Sequence, residues 1–478
     1  MFNLLESVLK DFRSCFSREK AYAWFVICTI GLLVRRDFLG VTSIIRVLAL
    51  NYTQYENLVN FFHSDAWKAD EIRNKWAQIV CSKAPLVEVD GRIILLGDGV
   101  KQSKEGFFMA AVKRLHQESE NSGKAEYIYG HLFGGIGVLA GSVKKMFCIP
   151  LHITIQDGLK SVAKWDNPEA PNKTHVVQMY ENAVNIIKEL GRGAYFVVDR
   201  YFASAPGLAV VKKWNESHNP DEHMHVITKL KGRAVGWSLL PPEAGKKNVG
   251  RPPKKGKTKI EIEAFFDRPS LFVKMYLNVY GEWKTVEVYT IDMVWGRGVY
   301  MPARVVLTIM DGARSMLLCT DMSLPPQEII RLYSYRQKIE CTFREFKQQL
   351  GGFLYHFWTK AVPKLNHFSK QKDWDPLSTV ENEDDRRRIL RNIKATEGFV
   401  LFASIACGIL QLIALTCDSS EMIRERYLRT PSKEIPSEAT VRSYIQTHIF
   451  ALLLKHPNSF ITQYIRAKQK DKIEEIAA

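Results

Sequence analysis

The stretch PPQEIIRLYSYRQKIECTFREFKQQL, residues 325–350, is followed by Gly351-Gly352 and reads as one helix. Two prolines open it, where a missing N–H has no intrahelical partner to lose. The glycines close it, where a left-handed residue is favoured. At about 100° per residue, Leu332, Ile339, Phe343, Phe346 and Leu350 fall in one narrow sector, the face a core takes. Tyr333, Arg336, Glu340 and Lys347 fall in a second sector beside it, whereas Glu345 points elsewhere. One carboxylate therefore shares a stripe with two cations and a phenol at the rim of a buried face. On its own such a stripe describes many ion-paired surface helices.

Two upstream aspartates change how Glu340 reads. Residues 92–97 form a short apolar run ending at Asp98-Gly99, and residues 194–198 form another ending at Asp199, followed by Arg200-Tyr201-Phe202. Both runs read as buried strands, and sites in open α/β sheets form at the carboxyl ends of strands. A lone aspartate after a strand is usually a turn residue or a helix cap. Two of them, with a glutamate on a later helix, make a set. Hard oxygen donors select Mg²⁺ or Mn²⁺. Two such ions about 4 Å apart can activate a water or a 3′-hydroxyl and stabilise the leaving oxygen of a phosphodiester. Without a cation, three clustered carboxylates repel one another.

The charge balance points the same way. The chain has 478 residues, with 67 Lys+Arg against 51 Asp+Glu and a net charge of +16, which suits a polyanion, nucleic acid before an anionic membrane. Its eight cysteines are scattered without a CxxC pair, so no zinc knuckle or disulfide framework is expected and a reducing, cytoplasmic setting fits. The apolar run at 21–34 is short for a membrane span. The run at 398–417 is long enough, but its glycines and serine suit close helix packing, and a buried helix is expected there.

Around the acidic set, residues 1–85 read as helical, either a packing domain or a module that binds DNA ends. Strands are expected at 127–140 and 146–155, a helix at 174–190 ending on Gly191, a helix at 202–214, and a strand at 225–230. Residues 232–322 read as an all-β insertion, with Ile260, Ile262, Ala264 and Phe266 alternating as in a half-exposed strand. Its entry loop carries Gly250-Arg251-Pro252-Pro253-Lys254-Lys255, which is either a solvated basic loop or a segment that lies in an A·T-rich minor groove. Aromatics at 353–358 either pack in the core or stack on an unpaired base. Residues 363–388 read as a loop, and the chain is helical again from 391. The glycine-rich run 135–140 mimics a dinucleotide fingerprint but has no helix after it. His116, His131, His152 and His356 form no ligand pair.

The spacing Y-x2-R-x3-E-x6-K, carried by Tyr333, Arg336, Glu340 and Lys347 with Asp98 and Asp199 upstream, resembles the signature of bacterial insertion-sequence transposases of the DDE type, within the ribonuclease H-like superfamily. The likeness covers roughly residues 87–360. It implies an α/β ribonuclease H-like catalytic core with an all-β insertion, flanked by helical N- and C-terminal regions. The implied segments are 1–85, 86–231, 232–322, 323–360 and 361–478. It further implies that Asp98, Asp199 and Glu340 are catalytic and hold two Mg²⁺ or Mn²⁺ ions. Tyr333, Arg336 and Lys347 would hold phosphates of transposon ends, with Arg200, Arg251, Lys254 and Lys255 as further DNA contacts. The implied reaction is cleavage at transposon ends and strand transfer into target DNA by a homodimer. A tryptophan in the insertion, Trp283 or Trp295, would hold a flipped base, although core packing is the ordinary expectation for both. The alternatives are an inactive DNA-binding descendant, a simple metal-dependent nuclease, or a membrane protein anchored through 398–417.

Overall fold

The computed structural model describes residues 1–117, 123, 125–171, 173–241, 253–366, 375–428 and 434–469. Five helices come first, as the apolar spacing predicts: α1 (Phe2–Asp11), α2 (Glu19–Val34), α3 (Thr42–Val47), α4 (Gln54–His63) and α5 (Ala69–Lys83). Every residue of α2 from Ala21 to Val34 is buried. A helix apolar on all sides can be stable in water only when other elements enclose it.

The sheet follows, with β1 (Glu88–Val89), β2 (Arg92–Ser103), β3 (Lys113–His116), β4 (Tyr127–Ser142) and β5 (Lys145–Ile155). Next come α6 (Lys160–Asp166), α7 (His175–Leu190), β6 (Ala194–Val198), α8 (Ala205–Asn215) and β7 (Met224–Lys229). Helix α7 starts where the Thr174 side chain accepts from the Val177 N–H and stops at left-handed Gly191, so both of its ends are written in local sequence. The chain continues through β8 (Val235–Trp237), β9 (Lys259–Glu261), β10 (Val273–Val279), β11 (Glu282–Trp295), β12 (Met301–Met310) and β13 (Ala313–Cys319). All thirteen strands join one sheet, whose main path is β3-β4-β2-β6-β7-β13-β12-β11-β8-β9. Strand β6 runs parallel to β2 and to β7. The 232–322 segment is thus not a detached module: β13 pairs with β7 and carries the central sheet outward.

Two expectations within that segment and near the C-terminus need correction. Residues 262–267 form a 3₁₀ turn rather than a continued strand, which buries Ile262 and Phe266 together and leaves Ala264 exposed. The alternation was real in sequence, but the buried pair is four residues apart. Residues 383–388, expected in a loop, open the long helix that follows the Glu340 segment.

The Pro325–Leu350 stretch is two helices, α9 (Pro326–Ser334) and α10 (Gln337–Gln348), rather than one. At the junction the hydrogen bonds tighten: Tyr335 N–H donates to Leu332 O, Arg336 N–H to Tyr333 O, and Lys338 N–H to Tyr335 O at 2.8 Å. The Ser334 hydroxyl donates back to Arg331 O at 2.7 Å. This local competition with the backbone ladder turns the chain there. The expected core face survives, since Leu332, Ile339, Phe343, Phe346 and Leu350 are all buried.

Among the described residues, four more helices follow: α11 (Glu383–Thr416), α12 (Ser420–Tyr427), α13 (Glu438–Lys455) and α14 (Phe460–Arg466). Helix α11 is long and apolar enough to cross a membrane, yet 94% of its most apolar window is buried inside the protein. Its small residues let bulky neighbours close in. A Cβ added at Gly398 would fall 2.4 Å from Trp67, and one at Gly408 would fall 2.3 Å from Trp76. It lies against α2, β5 and α13 and so forms the spine between the helical ends and the sheet.

One buried cation links these layers. Arg35, fully buried at the end of α2, donates to the Leu350 carbonyl, to Gly351 O at 2.9 Å and to Gly40 O at 3.2 Å. It thereby caps the carbonyl end of the segment that bears Glu340. Burial and the nearby Arg442 pull its guanidinium down to about 9, so holding it there is costly. Arg35→Met should lower unfolding stability by about 2 kcal/mol, because it takes the guanidinium from the buried Leu350 carbonyl, whereas Gly351 O keeps the Leu354 N–H and Gly40 O keeps the Ser43 hydroxyl. Denaturant titration of the purified chain reads this directly, and an unchanged midpoint would refute the capping role.

Candidate active site

The two aspartates are brought together by strand register. Gly97 of β2 pairs with Val198 of β6, so Asp98 and Asp199 follow at the same level on neighbouring parallel strands, about 4.8 Å apart in the hydrogen-bonding direction. Asp199 directly follows β6, as expected. Asp98 does not end its strand: β2 continues to Ser103, because β4 pairs along it through Gln102↔His131 and Ser103↔Gly130. Past β6, Phe202 N–H donates to Asp199 O at 2.9 Å, and the Thr228 hydroxyl of β7 donates to the same oxygen at 3.1 Å, turning the chain away.

Helix α10 meets this edge closely. The residue opposite Asp98 on β4 is Gly135, where an added Cβ would fall 2.6 Å from the Phe343 ring. Paired residues project to the same side of a sheet, so the Asp98 side chain faces α10. There Arg336 donates to Asp98 Oδ2 at 3.1 Å and also to Glu340 Oε1. The guanidinium thus bridges the first and third acids, while Gly99 N–H donates to Asp98 Oδ1 at 2.8 Å. Burial pushes the Asp98 carboxyl up to about 6, against the opposing pull of Arg336, and Glu340 and Asp199 add to the rise. Burial lowers the Arg336 guanidinium, but Asp98, Glu340 and Asp199 together outweigh it and leave it raised.

A cavity of about 620 Å³ opens here, walled by Asp199, Arg200, Tyr333, Arg336 and Glu340 together with Lys229 and Tyr280. Three members of the expected stripe and the expected Arg200 therefore share one site. Lys347, the fourth, lies further along, with its Nζ 3.4 Å from Lys101 O on β2. Lys254 is exposed and Lys255 lies 4.0 Å over the Trp237 ring, and neither lines this cavity. Arg251 lies outside the described residues.

Trp283 departs from the core role expected of it. It is 62% exposed on β11 and stacks on Tyr276 with ring centroids 5.2 Å apart. An edge hairpin that leaves the sheet has no second layer to bury that face. Trp295 is partly buried against the main core, as expected.

Lys229 and Tyr280 were not foreseen. Lys229 ends β7, the strand beside β6, so the rule that found Asp199 would have found it too. Tyr280 carries φ 58 in the Tyr280-Gly281 turn of the β10–β11 hairpin, a backbone region unusual for an aromatic residue. Its place over the carboxylates depends on sheet order, which local sequence does not encode.

The donor set tests well against a hard divalent cation, being carboxylate oxygen with no competing thiolate or imidazole among the described residues of the cavity wall. Among the described residues, no three Asp, Glu, His or Cys side chains converge closely enough to bind one ion directly. Instead, the positive charge between Asp98 and Glu340 is the Arg336 guanidinium.

Residues 152–357 match the family model of the transposase DDE domain. The match supports a DDE transposase acting on DNA, and with it a ribonuclease H-like fold. It spans Asp199, Glu340 and the Tyr333–Lys347 stripe, and begins after Asp98. Neither the curated proteins nor the solved structures compared with the chain gave a match.

Because the folded Asp98 carboxyl binds its proton more tightly than an ordinary aspartate, its ionisation destabilises the fold. Stability should therefore fall as pH rises from about 4 through about 6, with the cost complete above that window. In chelator, Asp98→Asn should be about 1–3 kcal/mol more stable than the parent near pH 7.5 and should flatten that pH dependence. Denaturant titrations at several pH values measure both.

Proposed function

We propose that this chain is a DNA transposase that cleaves phosphodiesters at transposon ends and joins the freed 3′ ends to target DNA. The observation that carries the reading is the bridged acidic set: Asp98 and Asp199 stand at matched register on adjacent strands, and Arg336 ties Asp98 to Glu340. Nothing in the packing of the sheet requires three acids at this edge, and burial of the Asp98 carboxylate is costly. A site of this kind has a use for charges that structure alone would discard.

In this reading Asp98, Asp199 and Glu340 would hold a pair of Mg²⁺ or Mn²⁺ ions. When bound, the ions supply activation of the attacking hydroxyl and charge neutralisation at the scissile phosphate. The remaining work belongs to the chain. Arg336 and Arg200 face the same cavity as the acids and can bind phosphate oxygens of the strand to be cut. Tyr333 lies partly buried beside Arg336; burial first, then Asp199, holds its phenol protonated, so it offers a hydrogen bond rather than a charge. Lys347 extends the cationic edge along β2. Arg336, which bridges Asp98 and Glu340 in the free protein, would be free to bind a phosphate oxygen if ions were held by those carboxylates. The joining step, a dimer assembled on DNA, and end binding by the N-terminal helices rest on the resemblance to insertion-sequence transposases.

Asp98→Ala, Asp199→Ala and Glu340→Ala should each reduce Mg²⁺-dependent cleavage about 1,000-fold or more while leaving DNA affinity within a few fold. Labelled transposon ends with a supercoiled target report cleavage and joining in one assay. Cleavage surviving in Glu340→Ala would remove that residue from the mechanism, and cleavage without joining would favour a nuclease. Arg200→Ala should weaken binding to all sequences alike and lower the salt slope of log K by about 1, the signature of one lost phosphate contact.

A further inference from the structure

Beyond the carboxylates, β2 leads to a second cavity. Side chains two apart on a strand share a face, so Gln102 rises on the side of Asp98, about 13 Å further along at roughly 3.3 Å per residue. A cavity of about 590 Å³ opens there, walled in part by Gln102, Lys104, Phe107, Trp358 and Lys360. Trp358 is 59% exposed and Phe107 is 45% exposed. Their segments are tied together, since Thr359 N–H donates to Phe108 O at 3.0 Å and Leu365 N–H to Phe107 O at 2.8 Å.

Trp358 is presented by a segment that is otherwise anchored. Phe353, Tyr355 and Phe357, which lead up to it, are buried. The buried Lys104 Nζ donates to Phe353 O at 2.6 Å and lies 3.5 Å over the Tyr355 ring. The cavity therefore stands ready-formed, with an indole face open to solvent. Lys360 lies in its wall, Lys364 stands 5.7 Å from the Phe107 ring, and among the described residues Glu105 is the one acid in the wall. Lys347, on Lys101 O, stands along the strand that joins this cavity to the carboxylates.

An open aromatic face among cations matches a ligand with a π-face and a phosphate, namely a nucleotide. We propose that this cavity receives an unpaired nucleobase of the DNA strand whose phosphate lies at Asp98, Asp199 and Glu340, with Trp358 as its stacking platform. The 13 Å offset is what about four nucleotides of a B-form strand span. The proposal rests on the transposase reading, because that reading puts DNA at the carboxylates.

The test uses the full chain with two labelled duplexes of the same arbitrary sequence, one blunt and one bearing an oligothymidine overhang. Trp358→Ala should lose about 10-fold in affinity for the overhang duplex and little for the blunt one, and Trp358→Tyr should recover most of the loss. Unchanged overhang binding in Trp358→Ala would overturn the proposal, as would equal losses on both duplexes. A change in oligomeric state on sedimentation would overturn it as well, since a second copy of the chain would then be what covers the indole. Asp199-dependent cleavage alongside unchanged overhang binding would sink this site alone. Selective overhang binding without Asp199-dependent cleavage of labelled transposon ends would instead sink the catalytic reading.

Discussion

Like charges gathered at the edge of a sheet repel, and the repulsion grows as water is excluded. Asp98, Asp199 and Glu340 share one edge only because a guanidinium is placed among them. Arg336 satisfies Asp98 and Glu340 at once, and the tightened turn between α9 and α10 is where the chain sets it. Without that turn, α9 and α10 would continue as one cylinder and aim Arg336 differently. The Ser334 hydroxyl that diverts the backbone is thus part of the same device as the charges.

The position of Glu340 is set from several directions. Phe343 presses on Gly135, where the absence of a side chain lets α10 lie close to the sheet. Thr342 donates to the Cys148 carbonyl of β5 at 2.7 Å. At the far end Arg35 caps the Leu350 and Gly351 carbonyls, and Arg442 of α13 donates to Arg35 O. The helical regions at both ends of the chain thereby hold the glutamate helix against the aspartate strands. A site assembled from residues so far apart in sequence needs such a frame, because each loose contact would be felt as misplacement at the carboxylates.

The two cavities on this face differ in what they offer. The first is ringed by acids and basic groups and suits a phosphate with its counterions. The second has an open indole and phenyl ring with cations at its margin, and suits a base. Strand β2 connects them, which gives a plain reason for Asp98 to lie within a strand rather than at its end: the strand goes on to build the neighbouring site. The β10–β11 hairpin closes over the first cavity through Tyr280 and leaves Trp283 and Tyr276 stacked in solvent beyond it.

Much of this was legible locally. Apolar runs ending in Asp98 and Asp199, the spacing of Tyr333, Arg336, Glu340 and Lys347, the Thr174 and Gly191 caps, and the wholly apolar α2 each carry their meaning within a few residues, because strand burial, helical period and capping are short-range physics. Other features were decided by the tertiary structure. The 3₁₀ turn at residues 262–267 and the break at Tyr335-Arg336 depend on which surfaces meet. So does the division of the 353–358 aromatics, where Phe353, Tyr355 and Phe357 found a core and Trp358 did not. So too does Tyr280 beside the acids, since strand order alone brings it there. Sequence specifies what each segment prefers to bury, whereas partner, register and distance are settled only when all segments compete for the same interior.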